Sequence, residues 1–138
     1  MGFSWQSHCV LFNIFLILVS ASKEQLGPEP INPNDKDVQR ALDFAVESFN
    51  AFSKDDHLFK VTWVVSAQVQ DVGGLLYTLE AELGRTQCKK GENKTLTSCF
   101  VVNTAGMSEN LLCHFKVVHA FWRDERDLLQ NNCNPVNR

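Results

Sequence analysis

Phe59-Lys60-Val61-Thr62-Trp63-Val64-Val65-Ser66-Ala67-Gln68-Val69-Gln70-Asp71-Val72-Gly73-Gly74-Leu75-Leu76-Tyr77-Thr78-Leu79-Glu80-Ala81-Glu82-Leu83 reads as two strands folded on a turn. In the first half, Phe59, Val61, Trp63, Val65, Ala67 and Val69 alternate with Lys60, Thr62, Val64, Ser66, Gln68 and Gln70. In the second, Leu75, Tyr77, Leu79, Ala81 and Leu83 alternate with residues that include Thr78, Glu80 and Glu82. A period of two puts one set on each side of a pleated strand. Asp71-Val72-Gly73-Gly74 supplies two successive glycines, which accept positive φ, so a tight hairpin is expected there. A third run carries Phe115, Val117, His119 and Phe121 on one side, with Lys116 on the other. Strands that are apolar on one side and polar on the other form an antiparallel sheet with a single covered face.

The cover lies just upstream. Val38, Ala41, Leu42, Ala45, Val46 and Phe49 recur at the spacing of one helical stripe. Asn34 or Asp35 can cap that helix, and Asp35 and Asp37 put negative charge at the positive end of its dipole. Ser53-Lys54-Asp55-Asp56 ends it in a polar loop. Before it, Leu26-Gly27-Pro28-Glu29-Pro30-Ile31-Asn32-Pro33 holds three prolines and no periodicity, which predicts an extended arm. The expected fold class is therefore α+β: an antiparallel β-sheet of four to five strands wrapped across one long α-helix.

Residues 1–22 contain no Lys, Arg, Asp or Glu, and Leu11-Phe12-Asn13-Ile14-Phe15-Leu16-Ile17-Leu18-Val19 is an apolar run of signal-peptide length. Ser20, Ala21 and Ser22 are small enough for a peptidase pocket, so 1–22 is expected to be a signal peptide and 23–138 the mature domain. A membrane anchor is the weaker reading, because the run is short and Asn13 interrupts it. Cys9 would leave with the signal, and Cys88, Cys99, Cys113 and Cys133 remain. An even set in a small exported domain reads as two disulfides, with three possible connectivities. Asn93-Lys94-Thr95 is a glycosylation sequon, usable in a secreted, extracellular chain.

The remaining composition excludes several functions. With 13 Lys+Arg against 16 Asp+Glu, a net charge of -3 provides no basic face for nucleic acid. After residue 20 no run approaches the roughly 20 apolar residues that span a membrane. No CxxC pair suggests a metal site, and His114 beside Cys113 reads as strand filler. His57, His114 and His119 lack an evident triad context, and Glu80 and Glu82 read as a solvated strand face rather than a glycosidase pair. No Walker, Rossmann or zincin motif occurs. Neither an enzyme nor a cofactor is expected.

The order of elements resembles a known family. Gln70-Asp71-Val72-Gly73-Gly74 fits the QxVxG hairpin of secreted type 2 cystatins, reversible inhibitors of papain-like cysteine proteases such as the cathepsins. Glu82-Leu83-Gly84-Arg85-Thr86-Gln87-Cys88 and Arg40-Ala41-Leu42-Asp43-Phe44-Ala45-Val46 are similar to further cystatin segments, and the resemblance covers about residues 26–133. It implies the pairing Cys88–Cys99 and Cys113–Cys133. It also implies a three-part protease-binding edge: the arm at Leu26 and Gly27, the hairpin Gln70, Asp71, Val72, Gly73 and Gly74, and Phe121-Trp122 in place of the family's Pro-Trp. Leu26 would enter the pocket beside the catalytic centre, and the inhibitor would act as a monomer without covalent chemistry.

The chain also departs from that pattern. Phe121 lacks the fixed φ of proline, and Asp71 brings a carboxylate into the first loop. Lys54 stands where legumain-inhibiting relatives present asparagine, so no legumain inhibition is expected. The departures define the alternative: a secreted cystatin-fold binding protein with weak or lost antiprotease activity.

Overall fold

The computed structural model describes residues 27–136; the expected signal peptide and Leu26 lie outside the described residues. Strand β1 is Glu29–Pro30, helix α1 is Lys36–Phe52, and strands β2 to β5 are His57–Asp71, Leu75–Lys89, Asn110–Ala120 and Glu125–Pro135. A single 3-10 turn, Leu96–Ser98, interrupts the long connection from β3 to β4. All five strands join one sheet in chain order, and every neighbouring pair is antiparallel. This is the expected α+β architecture.

Asp35, not Asn34, caps α1: its Oδ1 accepts from the backbone N–H of Asp37 at 2.9 Å and of Val38 at 3.4 Å. At the other end the last turn has no cation of its own, and Lys90 donates its ammonium to the Ser53 carbonyl instead. The predicted stripe is the buried one. Val38, Ala41, Leu42, Ala45 and Val46 pack against Phe59, Tyr77, Leu79, Ala81, Leu83, Phe115 and Val117 of the sheet. Phe49 adds an edge-to-face contact with Phe59 at 5.5 Å.

Asn50 is the polar residue in this contact. Its Nδ2 donates to the Phe59 carbonyl and its Oδ1 accepts the Phe59 N–H, both at 2.9 Å. Strand β1 reaches only Val69 and Gln68 of β2, so Asn50 satisfies a backbone pair that no strand covers on that side.

Strict alternation fails in β2. The register with β3 slips between Val61 and Trp63, and again between Val64 and Ser66. Each slip is a bulge that reverses which residues face the helix. Val64 therefore turns inward opposite Ala81, while Trp63 and Val65 are 60% and 42% exposed rather than on the covered face. Glu82 is also corrected: at 6% exposure it is buried, between Trp63 and Leu112 in the register. Phe121 lies beyond the end of β4 and is exposed, so the third alternating run stops before it.

Disulfides join Cys88 to Cys99 and Cys113 to Cys133, the latter directly opposite each other in β4 and β5. The β3–β4 connection folds back on the sheet where Gly84 has no side chain; a Cβ there would lie 2.7 Å from Val101 Cγ1. At the same end Arg85 gathers the loops. It donates through Nε to Asp55 Oδ2 at 3.0 Å, through Nη2 to Glu109 Oε2 at 2.6 Å and through Nη1 to the Met107 carbonyl at 2.7 Å. Burial raises the Asp55 carboxyl, but the Arg85 hydrogen bond, the His57 N–H and the charges of both residues hold it below its ordinary value.

Two outcomes follow from these contacts. Asn50→Ala strands the Phe59 peptide groups, and urea unfolding should register a loss of about 2–3 kcal/mol. Because the Asp55 carboxyl is depressed, its contribution is complete above the unfolded value and disappears as pH falls through the folded one. Stability measured between about pH 5 and 2 should thus decline less steeply in Asp55→Asn than in the parent.

Candidate functional site

The two short hairpins and the arm converge on one end of the sheet. In the first hairpin, Asp71 and Leu75 are the last paired residues of β2 and β3. Gly73 has φ +89°, a conformation that side chains disfavour, whereas Gly74 does not share it. Asp71 Oδ1 accepts the Gly73 N–H at 3.1 Å, and Val72 N–H donates to the Gly74 carbonyl at 2.9 Å. The acidic side chain thus closes an Asx turn within its own loop. Gln70 is half-buried opposite Leu76, and Val72 projects at the tip, 52% exposed.

The second hairpin joins β4 to β5 through residues 121–124. Arg123 N–H donates to the Ala120 carbonyl at 3.1 Å. Phe121 and Trp122 stand out from it, 60% and 58% exposed, with their rings edge to face at 5.0 Å. At its base His119 Nε2 lies 3.0 Å from Asp124 Oδ1. The Asp124 carboxyl is held below its ordinary value by that hydrogen bond and by the charge of Arg126.

These hairpins touch. Leu75 of β3 pairs with His119 of β4, which places the first loop beside the second. A Cβ on Gly74 would sit 3.0 Å from the His119 carbonyl oxygen and 3.5 Å from Trp122 Cη2. A side chain at Gly74 would therefore press on the His119 carbonyl, and the indole of Trp122 lies within van der Waals range of the same position. The arm completes the edge: Glu29 pairs with Val69 in antiparallel sense, so the chain from Glu29 back to Gly27 runs toward the Asp71 end of β2. Gly27, Val72, Gly73, Gly74, Phe121 and Trp122 thus share one end of the sheet.

Sequence reasoning missed two parts of this end. Asp71 looked like a desolvation cost, yet its carboxylate is engaged by the loop backbone. His119 looked like an ordinary strand histidine, yet it ties the base of the second hairpin. The available signal was Asp124 itself, an aspartate at the close of a short turn, where left-handed backbone is common for that residue.

The other residues singled out from the sequence lie elsewhere. Lys54 and Asn93 are exposed, in loops at the opposite end of the sheet. A groove of about 860 Å³ also opens at that far end, lined by Val46, Asn50, Leu58, Val61 and Leu96 among others. His57 Nδ1 meets the Thr86 carbonyl at 2.9 Å, and His114 Nε2 is 4.0 Å from Glu80. Among the described residues, no group of three or more His, Cys, Asp or Glu side chains is arranged to hold a metal ion.

Comparison with known proteins bears on the family and the fold. Residues 27–122 match the Cystatin domain. The chain is 36% identical over 107 residues to a cystatin of Coturnix japonica, covering 78% of this chain and 91% of the relative. It is 38% identical over 124 residues to a cystatin of Naja kaouthia, covering 86% and 87%. Among solved structures, dimeric human cystatin F superposes with a TM-score of 0.74 at 31% identity, covering 83% of this chain and 94% of that one. With its five-stranded sheet on one helix and its sequence match over most of its length, the chain belongs to the cystatin family.

Proposed function

We propose that this protein is a secreted, reversible inhibitor of papain-like cysteine proteases, cathepsins included, and not an enzyme. Its wedge would comprise Leu26 and Gly27 of the arm, Gln70, Asp71, Val72, Gly73 and Gly74 of the first hairpin, and Phe121 and Trp122 of the second. The observation that carries this reading is the packing of Trp122 against Gly74, with the arm running to the same end. A protease cleft is a long groove with an apolar lining, and three apolar projections on a preformed sheet edge can fill it with little ordering cost. A standard interface of about 1,600 Å² in total needs roughly 20–30 residues a side, which three neighbouring segments and their flanks can supply.

The glycines matter for approach. Gly73 brings bare backbone to the tip, so the chain can come near an enzyme nucleophile without presenting a peptide bond in attack geometry. Trp122 is the natural anchor, because exposed indoles that become fully buried dominate such interfaces. The Asx turn at Asp71 lowers the cost of placing an acidic residue in the wedge, since one carboxylate oxygen already has a partner. Two disulfides and the apolar leader support export, and the sequon at Asn93 lies far enough from the wedge that a glycan there would leave binding open.

Phe121 favours the second reading, a cystatin-fold binding protein of weak antiprotease activity, because it keeps bulk but not the stiffness of proline. Titration of active papain with the mature protein separates the two. Stoichiometric inhibition is expected; none at micromolar protein would leave only the second reading. Trp122→Ala should weaken papain binding by about 2 kcal/mol or more, close to 30-fold, with the urea midpoint unchanged. Legumain should not be inhibited, since Lys54 offers a cation where that enzyme accepts asparagine; nanomolar inhibition of legumain would overturn this part.

A further inference from the structure

Asp124 has φ +48°, and among the described residues it is the one non-glycine residue with positive φ. Side chains adopt that backbone readily only as Asn, Asp or Gly. Here the conformation coincides with a set of contacts. His119 Nε2 is 3.0 Å from Asp124 Oδ1, and Arg126 Nη1 is 3.8 Å from the same oxygen. His119 and Arg126 are opposite each other in the register of β4 and β5, and their side chains are 12% and 19% exposed. Two largely buried side chains at the root of the hairpin, His119 by a hydrogen bond and Arg126 by an ion pair, thus meet one carboxylate at the close of the turn, itself 81% exposed. The charge of Arg40 on α1 also acts on this carboxyl, and Arg123 pairs with Glu125 at 3.7 Å.

His119 also faces the other loop. Its carbonyl oxygen is the atom nearest to the missing side chain of Gly74. One residue therefore borders the first hairpin through its backbone and grips the second through its ring. Between these anchor points stand Phe121 and Trp122, both exposed, and it is Trp122 whose ring lies beside Gly74.

We propose that Asp124 is a positioning residue: clamped by His119 and Arg126 in a left-handed backbone, it sets the course of the second hairpin and thereby seats Trp122 against Gly74. In a loop whose tip has Phe121 rather than a proline, the clamp supplies the stiffness that a fixed φ would otherwise give. This rests on the inhibitor reading only for its effect on affinity; the ordering of the loop belongs to the free protein.

Three variants separate backbone from side chain. Asp124→Asn tolerates the same φ and keeps an acceptor for His119. Asp124→Gly tolerates the φ but has no acceptor, and Asp124→Ala has neither advantage. Papain affinity should fall in that order, by under about 3-fold for Asn, about 3- to 10-fold for Gly and more than about 10-fold for Ala. Amide hydrogen exchange of residues 121–124 in the free protein should accelerate in the same order, while core amides of β3 stay protected. Parental affinity and exchange in Asp124→Gly would show that the turn needs only its backbone, and the clamp would be refuted. If the parent fails to inhibit papain, the inhibitor reading fails, and exchange alone then decides the clamp: faster in Asp124→Gly and Asp124→Ala upholds it, unchanged refutes it.

Discussion

Covering one helical stripe with a single five-stranded sheet is the requirement that shapes everything else in this molecule. Val38, Ala41, Leu42, Ala45 and Val46 lose contact with water only if the strands curl around them. A flat ladder cannot do that, and β2 bends at its bulges, including those after Val61 and Val64, to achieve it. Asn50 then holds the strand to the helix where no further strand is available. With the middle of the sheet held in this way, the functional differences fall to its ends. One end is drawn together by Arg85, Asp55 and Glu109 with the β3–β4 connection. The other end is free to project.

The projecting end is stiff for reasons that differ from loop to loop. The first hairpin is shaped by a positive φ at Gly73 and by the Asp71 carboxylate bonding back to its own turn. The second relies on His119 and Asp124 at its base and on the ring pair above. Neither loop is positioned alone, since Gly74 of the first lies against the His119 carbonyl and within van der Waals range of the Trp122 indole. A recognition edge assembled in advance spends less of its contact energy on ordering, which is how a small apolar surface can bind tightly.

Much of this could be read from the residues, because long periodic segments report their own environment. The helix stripe and the inward set of β3 are where their spacing places them. The face reversal in β2 could not be read: Trp63, Val64 and Val65 are three successive apolar residues, so no polar residue marks the phase across them, and bulges that curl a sheet are set by the partner strand and helix. Glu82 misled for the converse reason, since its alternation was correct but the neighbours that bury it come from β2 and β4. The site divided along the same line. The glycines and Trp122 carried a recognisable pattern, whereas the tie between His119 and Asp124 depends on a turn that brings the ends of two strands together.

If the arm and both hairpins enter a protease cleft as one edge, all three must lose solvent contact in the same complex. Hydrogen-exchange footprinting of the protein bound to papain is the decisive measurement, because it maps contact along the whole chain at once. New protection is expected in residues 27–30, 70–75 and 119–124 together, with the loops around Lys54 and Asn93 unaffected. Protection confined to one of those segments, or centred on the Lys54 end, would contradict a shared edge.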